Sequence, residues 1–164
     1  MIEREKRWRL SGNIPTDSIK DKFLITQTYA ESKNPQIRVR KISRQDSDEF
    51  YHTVKYQLEN KNEREEIEQR ISKERYDRIF EAIDKKPVIK ERTIIDIGNG
   101  LIAEIDKFEE DNNIVIEVEF PTAESMQEFE QNKPLWFGEE IKSNKSLTYS
   151  MFAKINNINI SIWD

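Results

Sequence analysis

The feature of this chain that most constrains its fold is the recurrence of like-charged residues two positions apart in segments with β-strand composition. These pairs run along most of the chain: Glu3/Glu5, Arg7/Arg9, Arg38/Arg40, Glu66/Glu68, Lys90/Arg92, Glu104/Asp106 and Glu117/Glu119. Because side chains alternate between the two faces of a strand, both members of a pair lie on the same face. The residues between them are often apolar, as with Val39, Ile67, Ile105 and Val118. The pattern predicts a sheet with one apolar face and one highly charged face.

Alternation and turn signals predict eight strands. They cover residues 2–10, 22–31, 36–42, 49–58, 63–71, 88–97, 101–108 and 113–120. The sequence Gly98-Asn99-Gly100 predicts a tight hairpin between the sixth and seventh strands. Helices are predicted at 72–83, after a Ser72 cap, and at 145–155, with another capped by Thr122. We therefore expect one domain over residues 1–155, followed by a tail over 156–164.

Eight mainly antiparallel strands with few helices predict an α+β, mainly β domain whose sheet closes into a β-barrel. The charged face could point outward into water or inward into a solvated lumen. The pattern alone favours the outward arrangement, because charged faces are usually solvated. Several strands nevertheless carry a single sign of charge on that face, whereas solvated faces tend to mix signs.

Composition narrows the chemistry that this chain can perform. It has 164 residues, a net charge of −5, no cysteine and a single histidine, His52. The negative charge disfavours a general nucleic-acid binder. Disulfides, thiolate metal sites and zinc sites with several histidines are excluded, so any metal must be held by carboxylates, which suit Mg²⁺, Mn²⁺ or Ca²⁺. No apolar run or signal-peptide core predicts membrane association, and the expected location is the cytoplasm.

Short motifs built from the charged pairs follow one another in a recognisable order. They are E-x-E-x-R at 3–7, I-x-Q-x-Y at 25–29, I-R-V-R at 37–40, T-x-K at 53–55, R-x-E-x-E at 64–68, K-x-R at 90–92, E-x-D at 104–106, E-x-E-F at 117–120 and W-x-G-x-E at 136–140. Each motif is uninformative alone, but the ordered series resembles the CYTH superfamily, the triphosphate tunnel metalloenzymes. The resemblance covers about residues 2–155 and implies an eight-stranded tunnel with the charged face inside.

The resemblance also implies roles for the charged residues. The expected triphosphate-binding cations are Arg7, Arg38, Arg40, Lys55, Lys90, Arg92 and Lys145. The leading metal ligands are Glu3, Glu5, Glu117 and Glu119, and the secondary candidates, as ligands or as partners that orient the arginines, are Glu66, Glu68 and Asp106. Glu5, Glu117, Glu119 and Arg7 are the expected catalytic residues. One or two Mg²⁺ or Mn²⁺ ions would bind the triphosphate and position a water for in-line attack.

Two segments depart from the family pattern. Arg7 stands where the family usually has lysine, and a guanidinium keeps the charge but does not readily lose a proton. Residues 145–149 replace a stretch that typically holds a basic residue, a tyrosine and an asparagine. Crowding of so many acids predicts raised pKa values and a fold that a metal ion stabilises.

Several activities fit such a tunnel. Short single-domain members most resemble inorganic triphosphatases, so tripolyphosphate is the first expected substrate, with ATP and thiamine triphosphate as others. The alternatives are a class IV adenylate cyclase that makes cyclic AMP from ATP, and a sensor that binds a triphosphate without turnover. Nucleic acid enters only as an RNA 5′-triphosphate. Candidate aromatic contacts for an organic group are Trp8, Tyr29, Phe50 and Tyr51, although core packing is their favoured role, and the alternating tail at 158–163 could pair with a second copy in a homodimer.

Overall fold

The computed structural model describes residues 2–32, 34–60, 62–142 and 147–159. Its strands are β1 (Ile2–Leu10), β2 (Ile19–Tyr29), β3 (Gln36–Ser43), β4 (Asp48–Gln57), β5 (Glu63–Ile71), β6 (Val88–Gly98), β7 (Leu101–Phe108), β8 (Ile114–Glu119) and β9 (Phe137–Glu140). Its α-helices are α1 (Lys73–Ile83), α2 (Ala123–Gln131) and α3 (Leu147–Ile155), and a short 3₁₀ helix spans Thr16–Ser18. No helix in these ranges combines the length and apolarity needed to cross a membrane.

The strands form one antiparallel sheet that closes on itself. Their order is β5-β4-β3-β2-β6-β7-β8-β1-β9, and β5 also pairs with β1. Strand β1 makes this closure because its first residues pair with β5, in the register Ile2↔Glu65 to Arg4↔Glu63, while Glu5 to Arg9 pair with β8. The closed ring of eight antiparallel strands confirms the predicted fold class.

Strand β9 is the one strand that the sequence did not predict. It pairs with the end of β1 that β5 does not reach, through Trp8↔Glu140 and Leu10↔Phe137. Gly138 allows this close approach, since a Cβ atom at that position would lie 2.9 Å from the carbonyl oxygen of Arg9. The short strand thereby removes an exposed edge from β1.

The charged face of the sheet lies inside the ring. On β1, Glu3, Glu5 and Arg7 are buried on the inner face, whereas Trp8 on the outer face is fully buried under α2 and β9. The Trp8 ring packs against Phe129 of α2, with 5.5 Å between ring centroids. The expectation based on pattern alone, with charge outside, is therefore wrong. Helices and loops supply the apolar cover that frees the inner face for charged groups.

Helix α1 covers the outer face of β3 and β4. Ser72 caps the helix by accepting a hydrogen bond from the Arg75 backbone NH, as predicted. Tyr76 then packs with Val39 and Phe50 in a second apolar cluster. Thr122 likewise caps α2 as predicted, within a capping box completed by Ser125.

Helix α3 closes one end of the ring. Its Phe152 packs with Tyr29, Val88, Phe108 and Val115. These partners lie on the same strand face as the inward charged residues, because Val88 is two residues from Lys90 and Phe108 is two from Asp106.

At the start of the predicted tail, the Asn156 side chain binds both backbone groups of Lys86, at 2.8 and 2.9 Å. The domain boundary at residue 155 stays a prediction.

Candidate functional site

The inner face of the ring encloses a charged lumen. The volume of this lumen, including its open end, is about 450 Å³. The α3 residues Leu147 and Thr148 line it. Its polar lining consists of Glu5, Arg7, Arg38, Lys55, Arg64, Lys90, Arg92, Asp106, Glu117 and Thr148. The closed register of the sheet therefore brings residues from the two ends of the sequence into one site.

Arg38 and Arg40 of β3 carry hydrogen-bond donors that the described part of the chain does not satisfy. The Nε atom of each is buried, and no acceptor among the described residues binds it. Arg40 uses its Nη2 to bind Glu68 at 2.8 Å, whereas no described carboxylate forms an ion pair with Arg38. Burial and the charges of Arg38 and Arg92 lower the pKa of Arg40. Because a buried unpaired donor is costly, these two arginines are suited to an acceptor from outside the described residues, and an anion would be the strongest one.

The other predicted cations are bound to carboxylates. Arg92 makes a bidentate contact with Asp106, at 2.7 and 2.9 Å, and donates to Glu104 at 2.6 Å. Lys90 lies 2.8 Å from Asp106, and burial lowers the pKa of Lys90 to about 8 despite that attraction. Asp106 therefore pairs with two lumen cations, and its expected role, as metal ligand or as partner that orients the arginines, stays a prediction.

Lys55 is likewise bound to carboxylates, and Glu66 and Glu68 of β5 are partners of lumen cations. The Lys55 ammonium contacts Glu3 at 3.1 Å and Glu66 at 3.4 Å. Together with the contact from Arg40 to Glu68, this makes Glu66 and Glu68 partners of lumen cations. Burial would raise the pKa of Glu66, but its hydrogen bond with Glu3 and the charge of Lys55 lower it overall.

A wall of acids lies across β1, β7 and β8. Glu5 stands directly opposite Glu119, and Glu104 directly opposite Glu117, in the strand register. Burial and the nearby Glu5 raise the pKa of Glu117 to about 7, and burial with the charge of Glu3 raises that of Glu119 to about 7. The expected rise in pKa is confirmed. Like charges held this close favour a bound proton or cation between them.

The acid wall fits a hard divalent cation that retains other ligands. Among the described residues, no group of three or more acidic or histidine side chains is arranged to hold a metal ion alone. Mg²⁺, however, is usually bound through one or two carboxylates, with waters and substrate phosphates completing its shell. Glu5 and Glu117, which share a hydrogen bond, offer such a pair, with Glu119 next to them on β8.

The structure also places the remaining predicted residues. Arg7 faces the lumen opposite Glu117 in the register. Lys145 lies outside the described residues. Of the four aromatic candidates, Trp8, Tyr29 and Phe50 pack in apolar clusters.

Tyr51 is the fourth aromatic candidate and the exception. It stands opposite Arg40, whose guanidinium lies 5.6 Å from the centre of its ring. Core packing is thus confirmed for Trp8, Tyr29 and Phe50, whereas Tyr51 faces the charged residues.

Besides Glu104 of the acid wall, two polar residues that line the lumen were absent from the predicted site. Arg64 donates to Glu5 at 2.8 Å, so it balances part of the acid wall. It is the first residue of the R-x-E-x-E motif, and the i,i+2 spacing to Glu66 was the signal that could have revealed it. Thr148 of α3 accepts a hydrogen bond from Lys90 at 2.9 Å. It lies in the segment that departs from the family pattern, so nothing in the motif series indicated it.

Comparisons with known proteins support the fold. No model of a protein family matches this chain, and no curated protein matches it. Among solved structures, the inorganic triphosphatase NE1496 is 23% identical, with a TM-score of 0.59 over 89% of this chain and 93% of that one. The PH1819 protein from Pyrococcus horikoshii OT3 is 17% identical, with a TM-score of 0.68 over 91% and 98%.

A third structure is described as a putative adenylyl cyclase, HpAC1 from Hippeastrum, with a dominant triphosphatase activity. It is 16% identical, with a TM-score of 0.62 over 93% of this chain and 95% of that one. At these identities the matches establish a common fold. The chain therefore has the fold of CYTH-type proteins, as the motif series implied.

Proposed function

We propose that this chain hydrolyses a triphosphate in its lumen with the help of a divalent metal ion, and that inorganic tripolyphosphate is its substrate. The observation that carries the proposal is the pair of buried Nε donors on Arg38 and Arg40, for which no described residue supplies an acceptor. Guanidinium groups suit the oxygens of a phosphate chain, to which they can donate two hydrogen bonds at once. The named activities of NE1496 and HpAC1 support the same substrate class.

The lumen separates the tasks of holding phosphate and holding metal. Arg38 and Arg40 would bind phosphate oxygens, and Arg92 and Lys90, held in place by Asp106, would contribute positive charge beside them. Glu5, Glu117 and Glu119 would hold the ion. When bound, Mg²⁺ or Mn²⁺ supplies charge neutralisation for the phosphate oxygens and lowers the pKa of a bound water.

The charges in the lumen are balanced within the protein when no ligand is bound, and a triphosphate would add to them. Without ligand, Lys55, Lys90, Arg40 and Arg92 are neutralised by carboxylates of the protein. A triphosphate would bring about four negative charges, and its oxygens can accept hydrogen bonds from the Nε–H groups of Arg38 and Arg40. Arg7, opposite Glu117 in the register, would add a guanidinium group beside the acid wall.

The experiment is an assay of orthophosphate release from tripolyphosphate, thiamine triphosphate and ATP, each with Mg²⁺, Mn²⁺ or chelator. We expect metal-dependent release from tripolyphosphate, and a loss of about 100-fold or more in kcat/KM for Arg38→Met, because a charged hydrogen-bond donor to the phosphate is removed. The matched control is Arg70→Met. Arg70 is a largely exposed arginine of β5 that lies on the same face of the sheet as Arg38. It should retain activity within about threefold.

Three results would contradict the proposal. Cyclic AMP formed from ATP, resolved by chromatography, would make the chain a cyclase. Tight triphosphate binding without any product would make it a sensor. Full activity of Arg38→Met would show that β3 does not bind the phosphates.

A further inference from the structure

A large, mainly apolar groove lies between α1 and α3, at the end of the ring that α3 closes. Its volume, including its open side, is about 1170 Å³, compared with about 450 Å³ for the lumen. We call it the side groove. Its apolar lining comes from β3, α1, α3 and the residue that follows the turn after α3, and includes Ile37, Val39, Ile79, Ile83, Tyr149 and Ile158.

The apolar lining of the side groove is only partly covered by the described residues. Val39 at its base is fully buried, whereas Ile37, Ile79, Ile83 and Tyr149 are half-buried. Apolar side chains gain free energy when they leave water, so a further apolar segment in the groove would be stabilising. The groove is therefore a docking surface that needs an occupant.

The chain enters the side groove as it leaves α3. The Asn156 side chain fastens the end of α3 to the backbone of Lys86, shortly after α1. Asn157 then adopts a left-handed conformation, with φ of 56°, and the Ile158 backbone NH donates to the carbonyl oxygen of Ala153 at 2.8 Å. This Schellman motif ends the helix and turns the chain so that Ile158 lines the groove.

The residues that follow have the composition and the length to continue along the groove. Their sequence is Ile160-Ser161-Ile162-Trp163-Asp164, and they lie outside the described residues. In an extended chain, Ile158, Ile160 and Ile162 share one face. The four steps from 158 to 162 span about 13 Å in that conformation. Helix α1, with its 11 residues, is about 16 Å long, so the segment can cover most of its side.

The rim of the groove favours a segment that carries an acid. Arg78 and Lys85 lie there with a single acidic residue, Glu31. No described carboxylate forms an ion pair with Arg78 or Lys85. Asp164 would therefore bring its negative charge to a rim with an excess of positive charge.

We propose that residues 160–164 dock in the side groove of the same chain, with Ile160 and Ile162 against its apolar lining and Asp164 at its cationic rim. Docked there, the segment holds α3 against α1. Because the groove needs no ligand for this contact, the proposal is independent of the proposed function, and its test does not use activity.

Single cysteines test the docking directly, since the chain has none of its own. Ile162→Cys places a thiol on the face toward the groove, and Ser161→Cys places one on the opposite face as the matched control. The rate of reaction of each thiol with a disulfide reagent is measured in buffer and in urea. Each cysteine is then combined with Ile83→Ser in the groove, or with Ile67→Ser on the outer face of β5, where the isoleucine is 51% exposed. Ile37→Ser repeats the test from β3, should Ile83→Ser unfold α1.

We expect the thiol of Ile162→Cys to react about tenfold more slowly than that of Ser161→Cys in buffer, and at the same rate in urea. Ile83→Ser should remove most of this protection, whereas Ile67→Ser should leave it within about twofold. Tenfold protection corresponds to about 1.4 kcal/mol, so deletion of residues 160–164 should lower Tm by about 3–6 °C.

Three results would overturn the proposal. Equal rates for the two thiols in buffer would show that the segment does not dock. Protection that survives both Ile83→Ser and Ile37→Ser would place the segment on another surface. Protection that disappears on dilution, together with a dimer in sedimentation that the deletion abolishes, would show that the segment binds a second copy of the chain.

Discussion

Arg92 binds both carboxylate oxygens of Asp106, with its Nε 2.7 Å from Oδ1 and its Nη2 2.9 Å from Oδ2. The two residues stand directly opposite each other on β6 and β7, and Lys90 contacts the same carboxylate. Asp106 is buried, and the charges of Arg92 and Lys90 outweigh that burial and hold the pKa of its carboxyl well below the usual range. Asp106 is thus the carboxylate that two buried cations in the middle of the tunnel share, while Arg92 also binds Glu104.

Asp106→Asn should therefore lower the free energy of unfolding by about 3–5 kcal/mol, because Arg92 and Lys90 lose their shared charge partner without leaving the interior. Urea denaturation of the variant measures this. The control is Asp77→Asn, which breaks the equally short 2.7 Å pair with Lys73 on the surface of α1. The control should change stability little, since exposed ion pairs contribute little. Equal effects of the two substitutions would show that the tunnel pair is solvated.

The raised pKa of Glu117 predicts a pH dependence of stability. Its carboxyl titrates near 4.5 in the unfolded chain and at about 7 in the folded protein, because of burial and the nearby Glu5. Between these values the folded state binds more protons than the unfolded state, so this contribution to stability is complete below pH 4.5 and is lost as the pH rises to 7. The loss is about 3 kcal/mol.

Chemical denaturation in chelator, from pH 4.5 to 8, measures that loss. Glu117→Gln keeps the size of the side chain and removes its titration, so we expect a flatter stability curve for the variant across this range. Identical slopes for the two proteins would show that Glu117 is not protonated when the lumen is free of metal.

A divalent metal ion should stabilise the fold most at a pH at which the proposed ligands Glu5, Glu117 and Glu119 are ionised. Mg²⁺ or Mn²⁺ at about 100 times its Kd should add about 2.7 kcal/mol. The rise in Tm should be larger at pH 8 than at pH 5.5, because bound protons compete with the metal. Glu5→Gln should remove most of this rise. Glu124→Gln, in the exposed first turn of α2, should not, and an equal rise in both variants would place the metal elsewhere.

The strands could be predicted from the sequence because each alternates charged and apolar residues over several positions. Strand β9 has only four residues and pairs with β1 alone. It is too short to show such an alternating pattern. The start of β2 at Ile19 precedes the predicted position, because pairing with β6 extends the strand beyond its alternating part. Tertiary pairing therefore decides the elements that local pattern leaves open.

The site could be predicted as a set of charges but not as a set of pairs. The sequence indicates that Arg38, Arg40 and Arg92 share a face. It does not show that Arg92 is bound to Asp106 while the Nε of Arg38 finds no acceptor in the part of the chain that the structure describes. That difference depends on which strands are neighbours, a property of the closed ring. Likewise, alternation places Tyr51 and Phe50 on opposite faces, but only the ring shows which face borders the lumen.

Thr148 connects the end helix to the lumen, and Thr148→Val tests whether this contact positions Lys90. Valine matches threonine in shape but cannot accept the 2.9 Å hydrogen bond from the Lys90 ammonium. The Lys90 ammonium would keep its contact with Asp106. Leaving its other buried N–H without an acceptor should nevertheless lower stability by about 1–3 kcal/mol. It should also raise KM for tripolyphosphate severalfold, with a smaller change in kcat, since Lys90 would contribute charge to the bound phosphates. The control is Thr93→Val. Thr93 is a buried threonine on the outer face of β6, the strand that carries Lys90. If both variants lose stability equally and neither changes KM, α3 closes the tunnel without positioning Lys90.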